Sequence, residues 1–271
     1  MTTVSDDLGQ LPLSARLTDP LVIARRNLLR TRRTPQAAIA AVTSPVLFLL
    51  LMNLVFGGAI HIPGMTYIDY LVPAMLVQNI IFGGLQASTG LAIDVNSGLI
   101  DRFRSLPTPP SAPLIGRSIA DLGLQLLATA LALVAGVALD FRFHGSAPSC
   151  VVAIALFILM SLCLFWVFAA LGLATKNPET VQSATPIFFL FLFVSNAFIP
   201  VDTLPRWIQG FATYQPISIF NNALRALTQG TQASQAALGH STTYFTVASV
   251  AWCVSLALVF SVLALRSYRR L

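Results

Sequence analysis

The chain has 271 residues, 56% of them apolar and only 10% charged, and its 16 Lys and Arg against 10 Asp and Glu leave a net charge of +6. A soluble domain carries about 25% charged residues, so this composition, with a mean hydropathy of +0.77, excludes an ordinary soluble core. The basic residues are strung between apolar stretches and build no folded basic surface, so no nucleic-acid partner is expected.

Residues 1–18 read as a disordered tail ahead of a single membrane domain, 19–271. The start is not a cleavable signal, because it carries Asp6 and Asp7 and the apolar stretch that follows is too long for a signal core. Thr18 or Asp19 can cap a short helix with Pro20 at its first position. The segment LVIARRNLLRTRR then continues as an amphipathic helix on the membrane surface or as a plain basic arm. A bilayer core about 30 Å thick needs roughly 20 apolar helical residues, and six stretches qualify: about 37–56, 67–93, 115–139, 150–175, 181–199 and 244–265. Only structures that close their own backbone hydrogen bonds survive in hydrocarbon. The expected fold is therefore an all-α membrane protein of six transmembrane helices.

Orientation follows from where the basic residues were left. The segment before the first span holds Arg16, Arg25, Arg26, Arg30, Arg32 and Arg33; the loop after the second holds Arg102, Arg104 and Arg117; Lys176 follows the fourth, and Arg266, Arg269 and Arg270 the last. Only Arg142, Arg206 and Arg225 fall on the opposite side. The positive-inside rule then places both termini in the cytoplasm of a multi-pass cell-membrane protein, with membrane lipids as partners of the basic side.

The connections carry more information than the spans. After the second span, DVNSGLIDRFRSLPTPPSAPLIGR sets an apolar stripe of Leu99, Ile100, Phe103 and Leu106 beside charged residues and is stopped by Pro107, Pro109 and Pro110. Such a segment is a short cytoplasmic coupling helix that a soluble partner pushes against, or a connector lying on lipid. In the KNPETVQ turn Asn177 is a cap and Pro178 a first helical residue, with Glu179 the only glutamate of the chain. Between the fifth and sixth spans, FIPVDTLPRWIQGFATYQPISIFNNALRAL is long for an unstructured connection. Pro205 can start a helix there whose Trp207, Ile208 and Phe211 sit in the outer interface, making the segment external, helical and partly re-entrant.

Catalytic groupings are scarce. Asp69 and Asp121 lie about one turn inside span ends, Arg117 stands four residues before Asp121 as a local ion pair, and the middles of the spans hold no charge. A proton-coupled carrier would place an acid near the midplane. No GxxxxGK[ST] loop is present, no histidines have metal-ligand spacing, and Cys163 and Cys253 read as small apolar residues. Small residues recur at Ala128, Ala132 and Gly136, and as Gly83 with Ala87 and Gly84 with Ser88. They allow close helix approach within the subunit or at a subunit interface. Span two carries Gln78, Asn79, Phe82 and Gln86, and span five carries Phe188, Phe189, Phe191 and Phe193, with Phe198 and Asn196 near its outer end. Aromatics beside amides suit a cavity for an amphipathic or apolar cargo, whereas a phenylalanine run can equally face lipid.

Six spans in this order, with SGLIDRFRSLP and the following LIGR, the KNPETVQ turn and the IPVDTLPRWIQGFATYQPIS block, resemble the permease subunit of ABC-2-type exporters of the actinobacterial daunorubicin-resistance kind. The resemblance covers about 19–270. It implies a bacterial membrane exporter of a lipophilic drug or complex lipid, driven by a separate ATPase subunit that binds the ATP and Mg. This chain then has no catalytic residue, metal or cofactor of its own. The resemblance further implies that the ATPase contacts the surface arm and the loop around Gly98, Leu99, Asp101, Arg102, Phe103 and Arg104, with Glu179 a second contact. It also implies that two such permeases, identical or paralogous, form one pathway. Gln78, Asn79, Phe82, Gln86, Phe189, Phe193 and Asn196 are the expected path residues. Asp101 and Arg117 stand where relatives often carry glutamate and lysine, which keeps charge but changes reach. The alternative is a membrane assembly factor or scaffold of similar topology.

Overall fold

The structure, a computed structural model, describes residues 35–98, 112–230 and 239–269, which are all-helical apart from short turns. The helices are α1 (Pro35–Phe56), α2 (Tyr67–Asn96), α3 (Ala112–Ala138), α4 (Ala147–Thr175), α5 (Pro178–Ser183), α6 (Thr185–Val194), α7 (Arg206–Tyr214), α8 (Pro216–Gln229) and α9 (Thr242–Arg269). Four contain stretches long and apolar enough to cross a membrane: Tyr67–Asn96, Pro113–Ala138, Ala147–Thr175 and Thr242–Tyr268. Thr43–Phe56 and Pro178–Val194 are shorter apolar helical segments. The surface arm expected over 20–33 and most of the coupling segment, from Leu99 on, lie outside the described residues.

Local chemistry fixes several helix ends. The Thr66 hydroxyl accepts from the Asp69 backbone N–H at the start of α2, Ser146 does the same for Ser149 at α4, and Asn177 Oδ1 accepts from Glu179 N at 2.9 Å to open α5. Each cap satisfies an N–H that has no partner inside its helix. At the far end of α2 the chain leaves through Gly98 at φ +67°, a left-handed conformation that glycine adopts without a Cβ penalty.

The fifth expected span, 181–199, is not one helix. Pro186 lacks an N–H to continue the ladder, so α5 ends at Ser183 and α6 restarts at Thr185. At the other end Ser195 turns extended, its hydroxyl donates to Leu192 O, and Asn196 N donates to Ser218 Oγ on α8. The segment thus stops at Val194 because α8 captures its backbone.

α2 is the buried axis. Its polar groups explain why: amides and hydroxyls stranded in lipid are costly unless hydrogen-bonded, and α1, α3, α4, α5 and α8 all pack against it. The purely apolar surfaces of α3 and α9, with Leu127, Val134, Val247 and Leu258, face outward. α8, expected as part of an external re-entrant segment, is buried from Ser218 to Gln229 and wedges between α2, α4 and α9.

The small residues serve packing within the chain. Gly136 meets Val72 of α2, and Ala128 and Ala132 are buried. At the α2–α4 crossing a Cβ on Gly84 would run into the Phe168 ring, and one on Gly172 into the backbone carbonyl of Ser88. A side chain can yield but a helix backbone cannot without moving the whole element. Gly172→Ala is therefore expected to destabilise by about 1–3 kcal/mol through overpacking, read as a lower melting midpoint in detergent. Gly123→Ala, where a Cβ meets nothing, should leave the midpoint unchanged or slightly raised.

Candidate functional site

A groove of about 920 Å³ runs along α2 on the side facing α5 and α6. Phe82, Leu85, Gln86 and Thr89 form one wall at helical spacing, opposite Gln182 of α5 and Thr185, Phe189 and Phe193 of α6. Thr89 and Gln182 lie toward the end of the bundle where α2 finishes, and Phe193 lies farther in. The lining is mainly apolar with a few amide and hydroxyl groups, the composition expected of a site for an apolar or amphipathic small molecule.

The inner end of the groove is closed by aromatic rings. Phe82 lies 5.6 Å from Phe189, Phe189 5.1 Å from Phe193, and Phe193 4.9 Å from Phe198. Phe48 of α1 completes the cluster at 5.4 Å from Phe198 and 6.3 Å from Phe189. Tilted and edge contacts at these separations are favourable for aromatic pairs. α1, α2 and the 189–198 segment, distant in sequence, thereby meet at one aromatic plug.

Beyond the plug lies a polar network that the sequence did not reveal. Arg225 of α8, expected on the external side in a partly re-entrant segment, is fully buried. Its Nε donates to Tyr70 O at 2.8 Å and its Nη2 to Ala197 O at 2.7 Å, and the guanidinium lies 3.4 Å from the Tyr70 ring centroid. Tyr70 in turn donates through its hydroxyl to Asn196 O at 2.6 Å, and Asn196 Nδ2 donates to Asn222 Oδ1 at 2.5 Å. No carboxylate pairs with Arg225 among the described residues; backbone dipoles and a π face stabilise its charge instead. The only hint in the sequence was an arginine among apolar residues at helical spacing.

The same end is stitched further by Asp69. Its carboxylate accepts from Thr66 Oγ1 at 2.7 Å and from the Arg142 backbone N–H at 3.1 Å, while Gln229 Nε2 donates to Arg142 O. At the opposite end Arg117 joins two helices. Its Nη1 lies 2.6 Å from Asp94 Oδ2 on α2 and its Nε 3.5 Å from Asp121 Oδ2 on α3. The local pair with Asp121 read from the sequence is therefore the longer of two contacts, and the shorter one clasps α2 to α3 on either side of the 99–111 segment.

Of the path residues expected from the sequence, Phe82, Gln86, Phe189 and Phe193 come together on the groove wall. Gln78 is buried one turn farther along the same α2 stripe, with an Oε1 that has no partner among the described residues. Asn79 turns to α3, donating to Gln125 O at 3.2 Å and Thr129 Oγ1 at 3.0 Å. Asn196 belongs to the Arg225 network. Glu179 is exposed at the start of α5, and of the coupling residues only Gly98 is described. Cys163 and Cys253, read from the sequence as small apolar residues, are buried free thiols on α4 and α9.

The family model for the ABC-2 type transporter matches residues 20–228. The chain belongs to this family. It is 31% identical over 247 residues to the daunorubicin resistance ABC transporter permease protein DrrB1 of Streptomyces coeruleorubidus, covering 90% of this chain and 83% of that one. It is also 26% identical over 240 residues to the probable doxorubicin resistance permease DrrC of Mycobacterium tuberculosis, 85% and 87% of the two chains. A putative transport permease of Cyanophora paradoxa matches at 24% over 213 residues, 76% and 72%. The chain is thus a multi-pass ABC transporter permease subunit, a membrane component without an ATPase domain that works with an ATPase partner. In an ABC-2 permease the groove, the plug and the clasped ends of α2 and α3 acquire a common context, since hydrolysis in a second chain has to be felt by the membrane helices.

Proposed function

We propose that this ABC-2 permease moves a lipophilic drug or complex lipid out of the cytoplasm or inner leaflet, with the α2–α6 groove as the entry half of its path and the phenylalanine plug as the barrier. The observation that carries the reading is the groove itself: aromatic faces interleaved with Gln86, Gln182 and Thr89, with Phe48 and Phe198 packed behind Phe189 and Phe193 at its deep end. Relatives named for daunorubicin and doxorubicin resistance support a planar aromatic cargo, for which ring faces are a natural surface. A scaffold would have no use for such a cleft.

The membrane is crossed six times, by α1, α2, α3, α4, the α5–α6 pair and α9, with α7 and α8 on the outer side and both termini cytoplasmic. The groove then opens inward. ATP with Mg closes a pair of ATPase subunits, which press on the segment between α2 and α3 and on the arm before α1. Because Arg117 ties the two helix ends together, that displacement moves α2 and α3 as a unit and biases an inward-open to outward-open equilibrium. A second permease, identical or paralogous, supplies the other wall of the path.

Phe189 touches Phe48, Phe82 and Phe193, so Phe189→Ala removes the centre of the barrier. Losing one aromatic contact surface is worth about 1.5–3 kcal/mol, which corresponds to an apparent affinity for daunorubicin lower by roughly tenfold or more. Stimulation of the partner's ATPase activity by the drug should weaken in parallel. Phe191→Ala, on the other flank of α6, should retain both. Unchanged stimulation in Phe189→Ala would remove the groove from the path.

A further inference from the structure

A second cavity, of about 460 Å³, lies on the opposite flank of α6 and is open on one side. Phe168 of α4, Phe188 and Phe191 of α6, Phe220 of α8, and Trp252 and Leu256 of α9 are among its lining residues. The single amide in the lining, Gln215, has its Nε2 turned to Phe191 O at 3.4 Å. Water has nothing to bond in such a space, and an empty cavity would leave the surrounding rings without contacts on one side. In a membrane protein the available filler is hydrocarbon.

The mouth of the cavity gives an independent sign. Phe211 and Tyr214 of α7 and Gln215 edge the cavity at the end where α8 begins. On the same helix Trp207, Phe211 and Tyr214, four and three residues apart, are 83%, 50% and 60% exposed, beside the exposed Arg206. An amphipathic helix that shows Trp and Tyr to its surroundings next to a cation is at home at headgroup level. From that level the cleft descends along α9 past Trp252, Leu256 and Phe260, about 12 Å at the helical rise.

We propose that this cleft is a binding site for one acyl chain of a bilayer lipid, entered from the leaflet at the α7 rim. It rests on the membrane setting of the chain and not on the groove being the export path. The occupied cleft would brace α6 from the side away from the groove, so that bound lipid supports the helix carrying Phe189 and Phe193.

Photolabelling tests this directly. The full chain, purified with its ATPase, is reconstituted in phosphatidylcholine–phosphatidylglycerol vesicles containing a phospholipid with a diazirine at mid-chain, irradiated and mapped by mass spectrometry. Phe188 and Leu256 line the cleft and keep part of their surface accessible, so a chain lying in the cleft places a label against them. Adducts should be several-fold enriched on Phe188 and Leu256 over the outward-facing Val254, Leu258 and Val262, and Leu256→Trp should remove the enrichment on Phe188. Adducts confined to the outward residues of the wild-type chain would overturn the proposal. So would a Trp252→Cys disulfide between two copies, which would show that protein and not lipid covers the opening.

Discussion

Arg225→Met is expected to give one of the largest losses of stability of any single substitution in this chain. Methionine matches the length and volume of the aliphatic stem and fills the same buried space, so the loss isolates the guanidinium. Removing it strands the carbonyl of Ala197 and takes a second donor from the helical carbonyl of Tyr70, and a buried acceptor left without a donor costs about 1–3 kcal/mol. The stacking on Tyr70 is lost as well, worth about 0.5–2 kcal/mol. The melting midpoint of the permease in detergent should fall well below that of Arg206→Met, a change at an exposed position. Arg225→Lys should lie between the two, because an ammonium keeps the charge but cannot reach both carbonyls with the fixed fork of a guanidinium. A wild-type midpoint for Arg225→Met would show that the network does not hold α8 in place.

Double charge reversal, Arg102→Glu with Arg104→Glu, is expected to abolish co-purification of the ATPase subunit while insertion of the permease is retained. In the sequence both arginines are interleaved with the apolar residues Leu99, Ile100, Phe103 and Leu106 of a short segment. Its flanks are the Gly98 turn and the start of α3, which Arg117 holds against Asp94. A segment anchored at both ends to a clasped helix pair passes force on to them. On the proposed docking, inverting two of its charges replaces attraction to the ATPase by repulsion, and like-charge juxtaposition at an interface costs several kcal/mol. Co-purification at the wild-type level would refute docking at this segment.

Much of the fold was legible in the sequence because the signals are local. Hydrophobic length set α2, α3, α4 and α9 to within a few residues, and Asn177 and Pro178 announced α5. Pro205 correctly marked the start of α7. The fifth span was misjudged because its limits depend on Pro186 within an otherwise apolar run and on Ser218 Oγ, which takes Asn196 N from another element. The site was legible in part. The α2 stripe of Phe82 and Gln86 and the α6 stripe of Phe189 and Phe193 were visible as periodic patterns, but a pattern does not say which way a helix is turned. Asn79, one residue from Gln78, faces α3 instead, and Asn196 is spent on Asn222.

By itself the sequence determined that this permease is an all-α membrane protein, where its four long apolar helices lie and that Asn177 caps α5, since burial in hydrocarbon and capping depend on neighbours within a few residues. Only the tertiary structure decided that Arg225 is buried, that Arg117 reaches Asp94 before Asp121, and that five phenylalanines from α1, α2 and the 189–198 segment gather beside one groove. Those contacts join residues as far apart as Tyr70 and Arg225. Their geometry is set by the rotation and crossing of whole helices, a collective packing outcome that no local window of the chain encodes.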